Sequence, residues 1–195
     1  MNYGQLKTEL AGLGFSDEME IQEFEQIVPD AINRAITEIN LTVAPIIGTV
    51  EIEQDGTDDE VLYYDMKSLT RKNGVSKFLD FADTPVMIGT NVYRKFNNFE
   101  IENGDTLVLD GTIAGTFKVF YKSAHTLITL ETDDSTEIEL PAKAHILLPL
   151  LSAYYVWLED EKSKAVDYYN QYEKLATSIL NEREKPRMTI LSGGI

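Results

Sequence analysis

The stretch LPAKAHILLPLLSAYYVWLEDEKSKAVDYYNQYEKLATSIL, residues 140–180, decides how this sequence folds. Its first half is apolar almost all the way round a helix, whereas a helix on the surface of a domain needs only one apolar stripe. Its second half keeps a single stripe at helical spacing, formed by Ala165, Tyr168, Tyr172 and Ile179. We therefore expect an antiparallel pair of helices, the first of which has more than one surface to bury.

The first helix of the pair is expected from Pro141 to about residue 159, with a kink at Pro149 because proline removes one helical hydrogen bond. Four of its leucines should face the other helices of the same chain: Leu147, Leu148, Leu151 and Leu158. Three large side chains lie outside that stripe, and we expect neighbouring subunits or a β lobe to cover them. These candidate interface residues are Ile146, Leu150 and Trp157.

Two more helical segments are expected at the N-terminal end of the chain. The first spans residues 3–13 and is broken by Gly12 and Gly14. The second begins near Ser16, is interrupted or reset at Pro29, and ends near Leu41. Residues 46–140 differ, because apolar and polar residues alternate between turn dipeptides and predict about five to seven short antiparallel strands. The dipeptides are Asp55-Gly56, Asn73-Gly74, Asn103-Gly104 and Asp110-Gly111.

The helices at the two ends must pack together, since the β segment leaves and returns between them. This order predicts an α+β protein, a helical bundle with an inserted antiparallel β lobe and an extended C-terminal tail. The predicted parts are the N-terminal helices (1–45), the β lobe (46–140), the C-terminal helical hairpin (141–184) and the tail (185–195).

The composition narrows the possible functions. The net charge is -16, so the surface should repel nucleic acid rather than bind it. There is no cysteine, which excludes disulfides and thiolate chemistry and fits a reducing compartment. The N-terminus has no apolar segment typical of a signal peptide, and the longest apolar stretch, residues 144–158, is too short to span a bilayer. We expect no membrane association.

The sequence offers little for catalysis. His125 and His145 have no metal-ligand or catalytic partner at a recognisable spacing, and neither a nucleophile elbow nor a phosphate-binding loop is present. The acidic loops at 55–60 and 132–137 do not fit a calcium loop, so we interpret them as solvated turns. We predict no catalytic residue, no metal site, no cofactor and no enzymatic activity. A deep pocket combining either histidine with a carboxylate would favour an enzyme instead.

The C-terminal tail is the one basic segment, and its apolar residues alternate with polar ones. Such a tail suits docking on a neighbouring protein by strand addition or in a groove, although a frayed end has the same composition. The candidate docking residues are Lys185, Pro186, Arg187, Met188, Thr189, Ile190, Leu191, Ser192, Gly193, Gly194 and Ile195.

The order of several local features resembles the head–tail connector, or adaptor, proteins of tailed bacteriophages. In that family a strand ends in an aromatic-Tyr pair and is followed by an acidic turn. An LP dipeptide then opens a helix of small and aromatic residues, and a final helix ends in a Tyr-Glu pair. The corresponding positions are Phe120-Tyr121, Asp133-Asp134, Leu140-Pro141, residues 153–157 and Tyr172-Glu173. The resemblance covers most of residues 17–183.

The resemblance implies a structural virion protein without enzymatic activity. Such proteins assemble in the host cytoplasm, commonly as twelve copies, into a ring on the portal protein in the virion neck. The ring extends the DNA channel without binding DNA specifically and presents a surface to the tail or the next neck protein. The resemblance also implies that residues 185–195 dock on the portal. We further expect acidic side chains to face the channel, the candidates being Asp55, Asp58, Asp59, Glu60, Asp133 and Asp134.

Two alternatives remain open from the sequence. One is another neck or tail-completion protein, such as a stopper or tail terminator, although those are mainly β. The other is a small-molecule-binding or enzymatic domain.

Overall fold

The computed structural model describes residues 1–14, 26–88 and 93–184. Within these ranges the protein is α+β, as predicted, with five α-helices and antiparallel sheets. The second predicted helix starts, at Ser16, outside the described residues, but Pro29 does open a helix. The α-helices are α1 (Tyr3–Ala11), α2 (Val28–Thr42), the short α3 (Met66–Leu69), α4 (Leu148–Trp157) and α5 (Lys162–Glu184).

The chain divides into two compact units. The helical unit comprises Met1–Ala44 and Leu127–Ile195, and the β unit comprises Pro45–Thr126. The sequence had assigned residues 127–140 to the β lobe, whereas the structure groups them with the helices. This segment consists of turns rather than strands, and its backbone accepts hydrogen bonds from the start of α1, at Thr136 from Tyr3 and at Asp134 from Gly4. The Asn33 side chain binds both the N–H and the C=O of Ile128.

Helix α4 is apolar all round because α1, α2 and α5 pack against it. A helix with neighbours on three sides has no solvated stripe left, so the hydrophobic excess of residues 140–158 is largely buried by the same chain. Burying each large aliphatic side chain contributes about 1.5–3 kcal/mol. Seven of its ten residues are buried: Leu148, Pro149, Leu151, Ser152, Ala153, Val156 and Trp157.

The predicted kink at Pro149 is absent. A 3₁₀ turn (Ala142–Ala144) precedes α4, and Pro149 occupies the first turn of the helix. Proline has no N–H to donate, and first-turn N–H groups have no helical acceptor in any case. Pro149 therefore starts α4 instead of bending a longer helix.

The β unit contains two main sheets and a small hairpin. Strands β1 (Ile47–Gln54) and β10 (Gly115–Ser123) pair antiparallel, and β10 also pairs with β5 (Phe78–Phe81) and β6 (Val86–Ile88), beside which lies β7 (Tyr93–Lys95). The second sheet has the order β2-β9-β8, made of Val61–Asp65, Thr106–Asp110 and Phe99–Glu102. The hairpin joins β3 (Arg71–Lys72) to β4 (Val75–Ser76). Both main sheets contribute to one core, whose members are Ile52, Met66, Phe78, Leu107, Leu109, Phe117, Val119 and Tyr121.

Two of the four turn dipeptides make hairpins, whereas the strands that flank Asp55-Gly56 and Asp110-Gly111 lie in different sheets. Asn73 and Asn103 both have φ near +50°, each followed by a glycine with positive φ, and they join β3 to β4 and β8 to β9. The prediction of a hairpin at Asp110-Gly111 is wrong, because β9 and β10 belong to different sheets. Here the Asp110 carboxylate accepts from Thr112, and the Gly111 N–H donates to Glu60 O, so the chain crosses between sheets.

Candidate functional site

An apolar groove lies beside the N-terminal end of α4, in the helical unit. Its volume is about 360 Å³, and Ile146, one of its walls, is 59% exposed. The groove brings together Ile146 and Leu150, two of the three predicted interface residues. Among the described residues, its lining consists of Glu9, Gly12, Leu13, Ile146, Pro149 and Leu150.

The third predicted interface residue, Trp157, is not available to a neighbour. Its side chain is only 2% exposed, and its Nε1–H donates to Leu13 O at 3.2 Å. Tyr168 donates to the same carbonyl at 2.7 Å, and the Lys164 ammonium, which lies 3.4 Å from the indole centroid, donates to Gly14 O at 2.6 Å. Three donors therefore satisfy two carbonyls after the last turn of α1. Trp157 is therefore a core residue of the helical unit. Its helical spacing alone did not reveal this, because spacing does not show which face of α4 is covered.

The six predicted acidic residues lie in two separate places. Asp55, Asp58, Asp59 and Glu60 belong to the loop between β1 and β2, in the β unit, and are exposed. Asp133 and Asp134 belong to the turns of the helical unit, where Asp134 forms an ion pair with Lys7 at 2.5 Å. The hydroxyl and backbone N–H of Ser135 lower the pKa of Asp133, as those of Thr57 lower the pKa of Asp55. The lowered pKa keeps the carboxylates of Asp55 and Asp133 ionised at neutral pH.

The two histidines lie in different units, His125 in the β unit and His145 in the helical unit. His145 Nε2 lies 2.9 Å from Leu140 O, and since a carbonyl only accepts, Nε2 carries the proton. Nδ1 is then the acceptor facing the Met1 nitrogen at 3.3 Å. His125 follows β10 and is half-buried. Among residues 1–14, 26–88 and 93–184, no group of three His, Asp or Glu side chains could hold a metal ion, and no helix is long and apolar enough to cross a membrane.

Tyrosines on α4 and α5 should make the stability of the helical unit depend on alkaline pH. The Tyr155 hydroxyl donates to the Glu38 carboxylate at 2.5 Å. Burial, followed by this hydrogen bond, raises the pKa of Tyr155 well above its ordinary value, and burial also raises the pKa of Tyr168, Tyr169 and Tyr172. The folded state therefore favours the neutral form of these tyrosines. This stabilisation is fully present at any pH below the unfolded pKa of about 10. That contribution is lost as the pH rises from about 10 toward the folded pKa.

We expect the free energy of unfolding, measured by urea titration, to fall as the pH rises above about 10. Tyr155→Phe removes one titrating group and should make this fall shallower. Tyr63→Phe, at a tyrosine that is 58% exposed, is the matched control and should keep the wild-type slope. An identical slope for Tyr155→Phe and wild type would contradict the assignment.

The predicted docking tail, residues 185–195, lies outside the described residues. Sequence reasoning also missed two features of the β unit, the unpaired edge of β1 and a cleft containing Gln54. Neither feature can be recognised in the sequence, because both the edge and the cleft depend on how strands distant in sequence are arranged.

The sequence profile of the SU10 adaptor protein family matches residues 1–192. The match covers almost the whole chain, so the chain belongs to the SU10 adaptor protein family, a family of bacteriophage head–tail adaptors. The resemblance drawn from local motifs is thereby confirmed. Among curated proteins, no relative matches the chain. Adaptors of this family are structural proteins rather than enzymes.

Proposed function

We propose that this protein is a head–tail connector that forms a ring on the portal, extends the DNA channel and links it to the tail. The observation that carries the proposal is the family match over residues 1–192. The virion neck is its place of action, and the portal, neighbouring copies and the next neck or tail protein are its partners. The acidic surface supports the proposal, since a channel wall must let DNA pass without gripping its phosphates.

In the ring, we assign the Ile146–Leu150 groove to the contact between neighbouring copies. A closed ring repeats one heterologous contact, so each subunit needs an exposed surface that its neighbour covers. Ile146 is largely exposed in the single chain, and covering it would contribute about 1.5–3 kcal/mol at every interface.

Ile146→Asp should therefore prevent ring formation on the portal while leaving the chain folded. The substitution places a charge in an interface that must be desolvated, which costs several kcal/mol per contact. Mass photometry of portal mixed with each variant measures ring occupancy, and circular dichroism checks the fold. Val166→Asp, at an apolar side chain on α5 that is 53% exposed, is the control and should assemble normally. Full rings with Ile146→Asp would exclude this contact.

The channel-facing role is proposed for the loop between β1 and β2. Asp59 and Glu60 are exposed, and neither lines the cleft that Asp55 and Asp58 border. Asp134 is less suited, because Lys7 neutralises it. Residues 185–195 are proposed to reach the portal, carrying the basic side chains Lys185 and Arg187.

The proposed function is tested in the phage itself. A virus in which the gene for this chain is inactivated should produce heads and tails that fail to join, and supplying the chain in trans should restore joined particles. Negative-stain electron microscopy of the lysates distinguishes the two outcomes. Normal tailed particles without the chain would contradict the connector function.

A further inference from the structure

Strand β1 is an edge strand, eight residues long, with one side unpaired. It pairs with β10 along its whole length, and no described residue hydrogen-bonds to its other side. Such an edge offers a row of N–H and C=O groups to any extended segment that approaches it. Proteins use this opportunity for recognition by strand addition.

The register identifies which backbone groups point outward. The Ser123 N–H donates to Ile46 O, and Ile46 stands opposite Ser123 in the continuation of the β1–β10 register. In an antiparallel pair the hydrogen-bonded positions alternate, so the even-numbered residues of β1 bond to β10. The odd-numbered residues then direct their N–H and C=O groups to the unpaired edge. These are Ile47, Thr49, Glu51 and Glu53.

The end of β1 opens on an acidic cleft of about 490 Å³. Gln54, which is 9% exposed, donates from Nε2 to the Tyr64 oxygen at 3.0 Å, whereas its Oε1 has no hydrogen-bond partner. A buried amide oxygen left unpaired costs about 1–3 kcal/mol, so a donor that reached Gln54 Oε1 would stabilise the bound state. The cleft is lined by Glu53, Gln54, Asp55, Asp58, Leu62 and Tyr64.

We propose that the edge of β1 and this cleft form one docking site for an extended segment with basic side chains, supplied by the next neck or tail protein. The proposal rests on the connector function above. The added strand hydrogen-bonds to the outward backbone groups, and its lysines or arginines lie opposite Glu53, where opposite charges stabilise a cross-strand pair. Glu51 already has an ion-pair partner, Lys118 of β10, at 3.9 Å. An arginine at its end enters the cleft, donates to Gln54 Oε1 and packs its stem on Leu62.

Charge complementarity is the reason for choosing this occupant. Glu53, Asp55 and Asp58 are exposed and acidic, and Lys118 pairs with the fourth acid, Glu51, so the net charge of the site is negative. A nucleic acid strand would be repelled and an acidic segment would be disfavoured. The chain's own basic tail is assigned to the portal by the proposed function. A separate protein must therefore supply the strand.

The site is tested with the full chain and short synthetic peptides. The first peptide alternates arginine with threonine, the second carries glutamate in place of each arginine, and the third has the sequence of residues 185–195. We expect only the arginine peptide to bind strongly, with slowed hydrogen exchange at the amides of Thr49, Glu51 and Glu53. Equal binding of the glutamate peptide, tighter binding of the tail peptide, or binding without this protection would overturn the proposal.

Variants separate the edge from the cleft. Glu53→Arg should weaken binding of the arginine peptide about tenfold or more, and Gln54→Leu should weaken it less. Thr49→Pro removes one outward N–H and no bond to β10, so it should abolish protection of the edge. Glu100→Arg, at an exposed acid on β8, is the control and should bind normally. Unchanged binding of the arginine peptide by Glu53→Arg would overturn the proposal. If no variant or peptide supports the docking site but the chain still assembles on the portal, only the docking proposal fails and the connector function stands.

Discussion

Replacing Trp157 with alanine should lower the free energy of unfolding by about 3–5 kcal/mol, the usual cost of removing a large buried aromatic side chain. Trp157 is 2% exposed and lies on α4, the helix that α1, α2 and α5 surround. The substitution leaves a cavity, removes the Nε1 bond to Leu13 O and takes away the aromatic face over which the Lys164 ammonium lies. Packing, hydrogen bonding and a cation–π contact are lost together.

Urea denaturation followed by far-ultraviolet circular dichroism measures this effect without relying on tryptophan fluorescence. Trp157→Phe keeps most of the volume and should cost less, whereas the matched control Ile146→Ala, at an exposed position just before α4, should change stability by about 0.5 kcal/mol or less. A loss for Ile146→Ala as large as that for Trp157→Ala would contradict the assignment of Trp157 to the core and Ile146 to the surface.

Deleting residues 186–195 should leave the fold intact and abolish assembly on the portal. The sequence of residues 186–195 carries no apolar stripe of the kind that a core helix needs. A tail attached to a docked subunit binds at a high effective concentration, so its removal costs far more than its isolated affinity suggests. In a ring this loss recurs in every subunit.

Co-sedimentation with the portal measures the effect, and thermal unfolding checks that the truncated chain is folded. A chain in which the same residues are replaced by a glycine–serine segment of equal length separates the sequence of the tail from its length. Both variants should unfold like wild type and fail to sediment with the portal. Wild-type sedimentation by either variant would exclude a docking role for the tail.

The α+β class and the pairing of helices from both ends could be read from the sequence, because periodicity changes at residues 46 and 141. Which faces of α4 are buried within the chain could not be predicted from the sequence. An apolar helix surrounded by three neighbours and one that is half covered by another subunit have the same sequence pattern, and only packing places Trp157 inside and Ile146 outside.

Local turn chemistry predicted Asn103-Gly104 well, since its positive φ values suit a tight hairpin. Asp110-Gly111 has similar chemistry, but tertiary structure directs its two flanking strands into different sheets. The edge of β1 escaped prediction for the same reason, because strand order depends on contacts distant in sequence. The sequence pattern placed all six acidic candidates in the β lobe, whereas Asp133 and Asp134 belong to the helical unit.

The most direct test of the connector function is to mix the purified full chain with the portal ring of the same phage and determine the structure of the product by electron cryomicroscopy. We expect a continuous ring of this chain on the portal, with the Ile146–Leu150 groove covered by the adjacent copy and a channel open through the centre. A portal that remains bare at saturating concentrations of the full chain would contradict it.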